Sequence, residues 1–346
     1  MFGDTPVDDY QPRTLKMDIN ALETERWKLA NAAIEKHEPT LLEQATLIKA
    51  RDNVETFHSR VCDIAIKKNS IPILRYLIEH GVSVEHLEPR TIAKDGKVSI
   101  PTLDFLLAHG WDINWPGGKP SSSREPFMWF CVNDRDKLVW CLEHGARLEM
   151  PKNKDCRGRR SPPILEIVAR QGDSATFEFL RSKGAPLRPY PHINKILHAA
   201  VQAAACVHDG LGDPENDTEE QRKSRVEYAK RMDMVRYLID VVGFNVNAPD
   251  QSPECTRPRH GEWGTPLECV HTVWIEKLNP RELTWLLLDR GADPSPALKE
   301  AKCDDDPTKW HHDFIKNVED WETQGGPERL RQREEEREKE HKCCMQ

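Results

Sequence analysis

Arginine, lysine and tryptophan gather at three places in this chain of 346 residues. Arg147, Lys152, Lys154, Arg157, Arg159 and Arg160 follow one another closely, opposed only by Glu149 and Asp155. Arg257, Arg259, His260 and Trp263 form a second group, and Trp115, Lys119 and Arg124 a third. A guanidinium grips a carboxylate through two parallel hydrogen bonds, and Arg and Trp are favoured anchors at protein interfaces. The chemistry on offer is recognition of an acidic segment of a protein partner. The candidate contact residues are Trp115, Arg124, Lys152, Lys154, Arg157, Arg159, Arg160, Arg257, Arg259 and Trp263. The simpler reading is that these charges keep long loops soluble.

Covalent and metal chemistry find little support. The chain has no Gly-x-Ser-x-Gly and no His-Glu-x-x-His, and Gly117-Gly118-Lys119-Pro120 lacks the spacing and the Ser or Thr of a phosphate loop. His311 and His312 near Cys303 do not make a metal site, because adjacent helical residues point about 100° apart. No cofactor is expected. A rival reading places an active site in the interval 185–243, where His192, His198, Cys206, His208 and Asp209 cluster, but these show no recognised spacing of nucleophile, base and orienting group. The ending Cys343-Cys344-Met345-Gln346 has the form of a farnesylation signal on Cys343, which would tether an adaptor to membranes. Its neighbours give no polybasic second signal, and one short lipid binds membranes only reversibly.

The elements that must position these groups announce themselves by repetition. An apolar helix end closing on glycine occurs at Leu74 to Gly81, Leu103 to Gly110, Leu138 to Gly145, Phe177 to Gly184, Val235 to Gly243 and Leu286 to Gly291. Within each copy the apolar residues fall three and four apart, which makes one stripe that a neighbouring surface must cover. Glycine suits the left-handed residue at a helix C-terminus. Extended stretches with Asn and Pro follow, as in Asp112 to Pro116 and Phe244 to Asp250. Self-similarity on this scale predicts an all-α stack of helix-turn-helix units, in which each unit covers the next.

Trp263-Gly264-Thr265-Pro266-Leu267, followed by Leu286 to Pro294, resembles an ankyrin repeat: a turn, a first helix opened by Thr-Pro-Leu, a second helix, then Gly-Ala-Asp. Ser161 to Asp173 and Asn194 to Ala200 resemble the same first helix. The copies are degenerate, like those of standalone ankyrin-repeat proteins of filamentous fungi. Glu268 stands where the family has His, and successive closing glycines are 29, 35, 39, 59 and 48 residues apart. A regular array repeats about every 33 residues, so the short interval implies a truncated first helix and the long ones insertions. The alternative is another helical-hairpin solenoid, such as an armadillo or HEAT array. The resemblance implies a fold of paired helices with projecting fingers, and fingers plus first helices line a concave face that commonly binds proteins. It places the three basic groups on fingers and implies a non-enzymatic scaffold or adaptor.

Around this core the expected organisation is a disordered tail over 1–20, a helical cap over 21–50 divided at Pro39, repeats over 51–297 with an insertion at 206–231, a capping helix over 298–324 and a charged tail over 325–346. Together these read as one elongated domain. A net charge of −8 disfavours general attraction to nucleic acid. Ten cysteines without a Cys-x-x-Cys pair suit a reducing compartment, and with no signal peptide or membrane span in view the expected location is cytoplasm or nucleus, or a membrane surface if Cys343 is lipidated. Met128, Trp129, Phe130 and Trp140 lie at helical spacing and are read as core.

Overall fold

A computed structural model of the chain describes residues 19–93, 96–118, 125–149, 162–188, 194–207, 218–250, 264–272, 281–303 and 309–344. Every regular element among them is helical, in agreement with the all-α expectation. The chain divides into two compact units, Met1–Ala146 and Arg147–Gln346. That boundary falls at the end of the Gly145 copy of the repeated phrase, inside what reads from sequence as one elongated domain.

The first unit holds α1 (Ile19–Lys36), α2 (Pro39–Leu47), α3 (Val54–Lys67), α4 (Ile71–Glu79), α5 (Pro89–Ala93), α6 (Ile100–Ala108), a 3-10 helix (Phe127–Cys131) and α7 (Arg135–Glu143). The predicted cap is α1 packed on α2, with Pro39 in the first turn of α2. His37 and Asn69, both at φ 55, turn the chain from α1 into α2 and from α3 into α4. The interval between Gly81 and Gly110, short in sequence, holds the five-residue helix α5. First members of the pairs pack in series, α1 on α3, α3 on α5 and α5 on the 3-10 helix. Second members are joined by side chains: Arg75 lies over the Phe105 ring, and Trp140 Nε1 donates to Asp104 at 2.8 Å. Met128, Trp129 and Trp140 are buried as core, while Phe130 is half-buried.

The second unit contains α8 (Ile164–Gln171), α9 (Ser174–Ser182), α10 (Ile196–Ala205), α11 (Glu219–Asp240), α12 (Pro266–Thr272), α13 (Arg281–Leu288), α14 (Ser295–Cys303), α15 (Lys309–Thr323) and α16 (Gly326–Cys344). Again one row forms as α8 packs on α10, α10 on α12 and α12 on α14. The other row is stitched by polar bonds. The Tyr237 hydroxyl of α11 donates to Glu178 of α9, Arg236 of α11 pairs with Glu282 of α13, and Trp285 Nε1 of α13 donates to the Asn317 carbonyl of α15 at 2.9 Å.

The repeated glycines behave alike: Gly81, Gly110, Gly145, Gly184, Gly243 and Gly291 all have φ between 82 and 97. The turns after them hook onto the next turn. Asn114 Nδ2 donates to the Gly145 carbonyl at 3.1 Å, and Asn247 Nδ2 donates to the Gly291 carbonyl at 2.8 Å while its Oδ1 accepts Asp293 N–H.

Gly172, which ends α8, adds a steric demand to a conformational one. Its φ is 76, and a Cβ there would stand 3.2 Å from both Arg231 Cα and the Lys230 carbonyl oxygen, backbone atoms that cannot swing aside. Gly172→Ala is expected to cost about 1–3 kcal/mol, read from the midpoint of urea unfolding. A neutral result would mean that α11 is free to withdraw from α8.

Two expected boundaries move. Residues 219–231, assigned to a solvated insertion, are the opening turns of α11, a continuous helix started by a capping box in which Thr218 accepts Gln221 N–H and Gln221 accepts Thr218 N–H. Reciprocal capping satisfies two amides that otherwise lack partners, so the helix extends into the charged stretch. The region 298–324 contains not one capping helix but most of α14 and then α15, a further pair. The charged tail is α16.

Candidate functional site

Of the predicted contact residues, Trp115 is the one whose side chain the structure describes. Arg124, Lys152, Lys154, Arg157, Arg159, Arg160, Arg257, Arg259 and Trp263 lie outside the described residues, as do Lys119, His260, His192, His208 and Asp209. Cys343 falls on the backbone of α16, but its side chain lies outside them too.

Trp115 stands on the turn after Gly110. Its indole packs against His86 at 4.3 Å between ring centroids, and its buried Nε1 finds no acceptor among the described residues. The turn is tied to the one before it: Asp112 N–H donates to the Glu85 carbonyl at 3.2 Å, and Gly118 N–H donates to Glu88 Oε1 at 3.0 Å. Deeper in the same turn Trp111 is buried edge-on against Phe127 at 5.3 Å. Two adjacent turns thus present one half-buried indole beside an exposed imidazole and the carboxylates of Glu85 and Glu88.

Asp250 and Gly264, the described residues on either side of the stretch that contains Arg257, Arg259 and Trp263, are held together. Asp250 N–H donates to the Gly264 carbonyl at 2.9 Å, and the same carbonyl accepts His198 Nε2–H at 2.9 Å. Asn194 N–H donates to the Asp250 carbonyl at 3.0 Å, and Lys195 Nζ lies 3.0 Å from Asp250 Oδ2. Asp250 and His198 are each 2 % exposed. An unpaired buried charge is costly, and the Lys195 ammonium stands beside the Asp250 carboxylate as its partner. Burial drives the imidazole toward its neutral form, opposed by the Asp250 charge, and pulls the His198 pKa down to about 4. Asp250 and Lys195 form the part of this neck that sequence reasoning missed.

His198 uses its Nε2 proton on a main-chain carbonyl, and burial pushes the Cys269 and Cys206 thiols up, away from the reactive thiolate. Among the described residues no group of three or more His, Cys, Asp or Glu is placed to hold a metal ion, and no helix is long and apolar enough to cross a membrane. His311 is buried on α15 beside exposed His312. No protein-family model and no curated protein matches the chain.

Proposed function

We propose that the chain is a non-enzymatic ankyrin-like scaffold that binds an acidic segment of a protein partner on its fingers and first helices. The observation that carries this reading is the buried neck formed by Lys195, His198, Asp250 and Gly264, which ties the two residues flanking the Arg- and Trp-bearing stretch 251–263 to α10 in the row of first helices. Holding a segment at its two flanks lowers the ordering cost of association and suits recognition. His198 occupies in Asn194 to Ala200 the place that His has in the ankyrin first-helix phrase, and its bond to Gly264 reaches the turn that opens α12. The serial packing of first members, the row of linked second members and the glycines at positive φ within each unit support the same architecture.

The test compares partner recovery by the intact chain with recovery by Arg157→Glu, Arg159→Glu, Arg160→Glu in one variant and Arg257→Glu, Arg259→Glu in another. A true finger partner is recovered at least tenfold less by either variant, and less from the intact chain as salt rises, since charge pairs at an interface rim weaken with ionic strength. Unchanged recovery by both variants, with melting temperatures unchanged, overturns the reading.

A further inference from the structure

The charged helix α16 does not simply run off into solvent. From the turn at Gly325, φ 79, its first turns lie across the C-terminal ends of α13 and α11. Arg329 Nε lies 3.3 Å from Asp289 Oδ1, and the same guanidinium stands 5.4 Å from the centre of the Trp285 ring, which Arg281 approaches at 4.5 Å. One turn on, Arg333 Nη2 is 3.9 Å from Asp240 Oδ2, a carboxylate already bound by Arg290 through Nε at 2.9 Å. Leu330, between them, covers the open side of Gly291. Asp289 also accepts Trp321 Nε1–H at 2.8 Å, so the edge beneath α16 combines two carboxylates with two indoles. That is the chemistry that holds a guanidinium: charge-assisted hydrogen bonds on its rim and an aromatic face against its plane.

The hold is light. Arg329 and Arg333 are 39 % and 38 % exposed, and ion pairs with that much water around them contribute little each. Leu330 is the apolar residue among Arg329 to Glu336, and Glu335 and Glu336 further along are exposed. Contacts of this kind open by local unfolding well before the rest of a domain does.

We propose that the ends of α11 and α13, with Asp240, Asp289 and Trp285, form a docking edge for an arginine-bearing segment of another protein, and that α16 occupies this edge in cis and competes with it. The edge belongs to the second helices, so this proposal is separate from the finger reading and can fail without it. The structure supplies both halves of the argument: an acidic and aromatic edge, and a tenant whose two arginines, four apart, match the two carboxylates.

The experiment uses the full-length chain and a fluorescent synthetic peptide with the sequence of residues 326–346, followed by anisotropy. Arg329→Ala with Arg333→Ala in the protein weakens the resident helix, and the added peptide is expected to bind this variant at least tenfold more tightly than the unaltered chain. Adding Asp240→Asn and Asp289→Asn should then reduce binding at least tenfold, while the side-chain amide oxygen introduced by Asp289→Asn can still accept Trp321 N–H. In the unaltered chain, amide exchange across 326–333 should quicken at 0.5 M salt relative to that of α13. Equal affinity for the unaltered chain and the arginine variant overturns the proposal, as does binding that survives loss of both carboxylates in a variant of unchanged melting temperature. Should the Asp variants unfold, the arginine comparison alone decides, because its two side chains lie at the surface.

Discussion

Phe57→Ala is expected to destabilise the first unit by about 3–5 kcal/mol, the range for deleting a fully enclosed aromatic ring. Phe57 is 0 % exposed on α3 and receives the Trp27 ring of α1 edge-on at 5.1 Å. The Arg26 guanidinium lies 3.8 Å above its centroid, in a place where Arg26 itself is 1 % exposed. Arg26 gives Nη1–H to the Asp52 carbonyl at 2.7 Å, and burial already disfavours its charge. Removing the ring therefore opens a cavity and at the same time takes the aromatic face away from a buried cation. Phe57→Leu keeps most of the volume and should cost clearly less. The measurement is urea unfolding followed by tryptophan fluorescence, with Trp27 as the nearest reporter. A loss below about 1 kcal/mol for the alanine variant would mean that α1 is not held to α3 through this ring.

The same contrast between local pattern and distant pairing decides what could be read from sequence. The glycine that ends each second helix was legible because it is a local requirement: an apolar stripe three and four apart, then a residue for which positive φ carries no steric cost. Met128, Trp129 and Trp140 were legible as core for a similar reason. The shortness of α5 followed from the small interval between Gly81 and Gly110. By contrast His198 and Gly264 meet across 66 positions, and no local pattern gives the bond until the two turns are brought together. Asp250 reads as an ordinary turn residue until Lys195 is beside it.

Helix limits in charged stretches were also hard to read, because an apolar stripe is the main signal of a helix and α16 has none. A usable clue was present. Arg329 and Arg333 are one turn apart, and Asp240 and Asp289 stand just before the closing glycines of successive copies, so the charges match layer by layer. For α11 the clue was Thr218 with Gln221 three residues later, a start signal for the charged, helix-favouring half of the insertion, which the default reading as a solvated loop passed over. The predicted contact groups around Arg157 and Arg257 rest on residue type and spacing, while the described neck fixes Asp250 and Gly264, the residues that flank the second group.

Stability should fall on mild acidification through the His198 neck. The imidazole is neutral when folded because burial lowers its pKa from 6.5 to about 4, so protons bind the unfolded chain more readily than the folded one between those values. The sign follows: the contribution is complete above pH 6.5, declines as pH falls and levels off below about 4. At about 1.4 kcal/mol for each pH unit, the loss attributable to this group reaches about 2 kcal/mol by pH 5. Carboxylates titrate in the same range, among them Glu166, whose pKa burial raises and whose protonation acts in the opposite direction. His198→Gln separates them, since Gln can still donate to the Gly264 carbonyl but does not titrate. Urea midpoints for both proteins at pH 7.5 and pH 5 should show the parent losing about 2 kcal/mol more than the variant. Parallel losses would mean that His198 takes up its proton in the folded chain as readily as in the unfolded one, and that the neck is open to water.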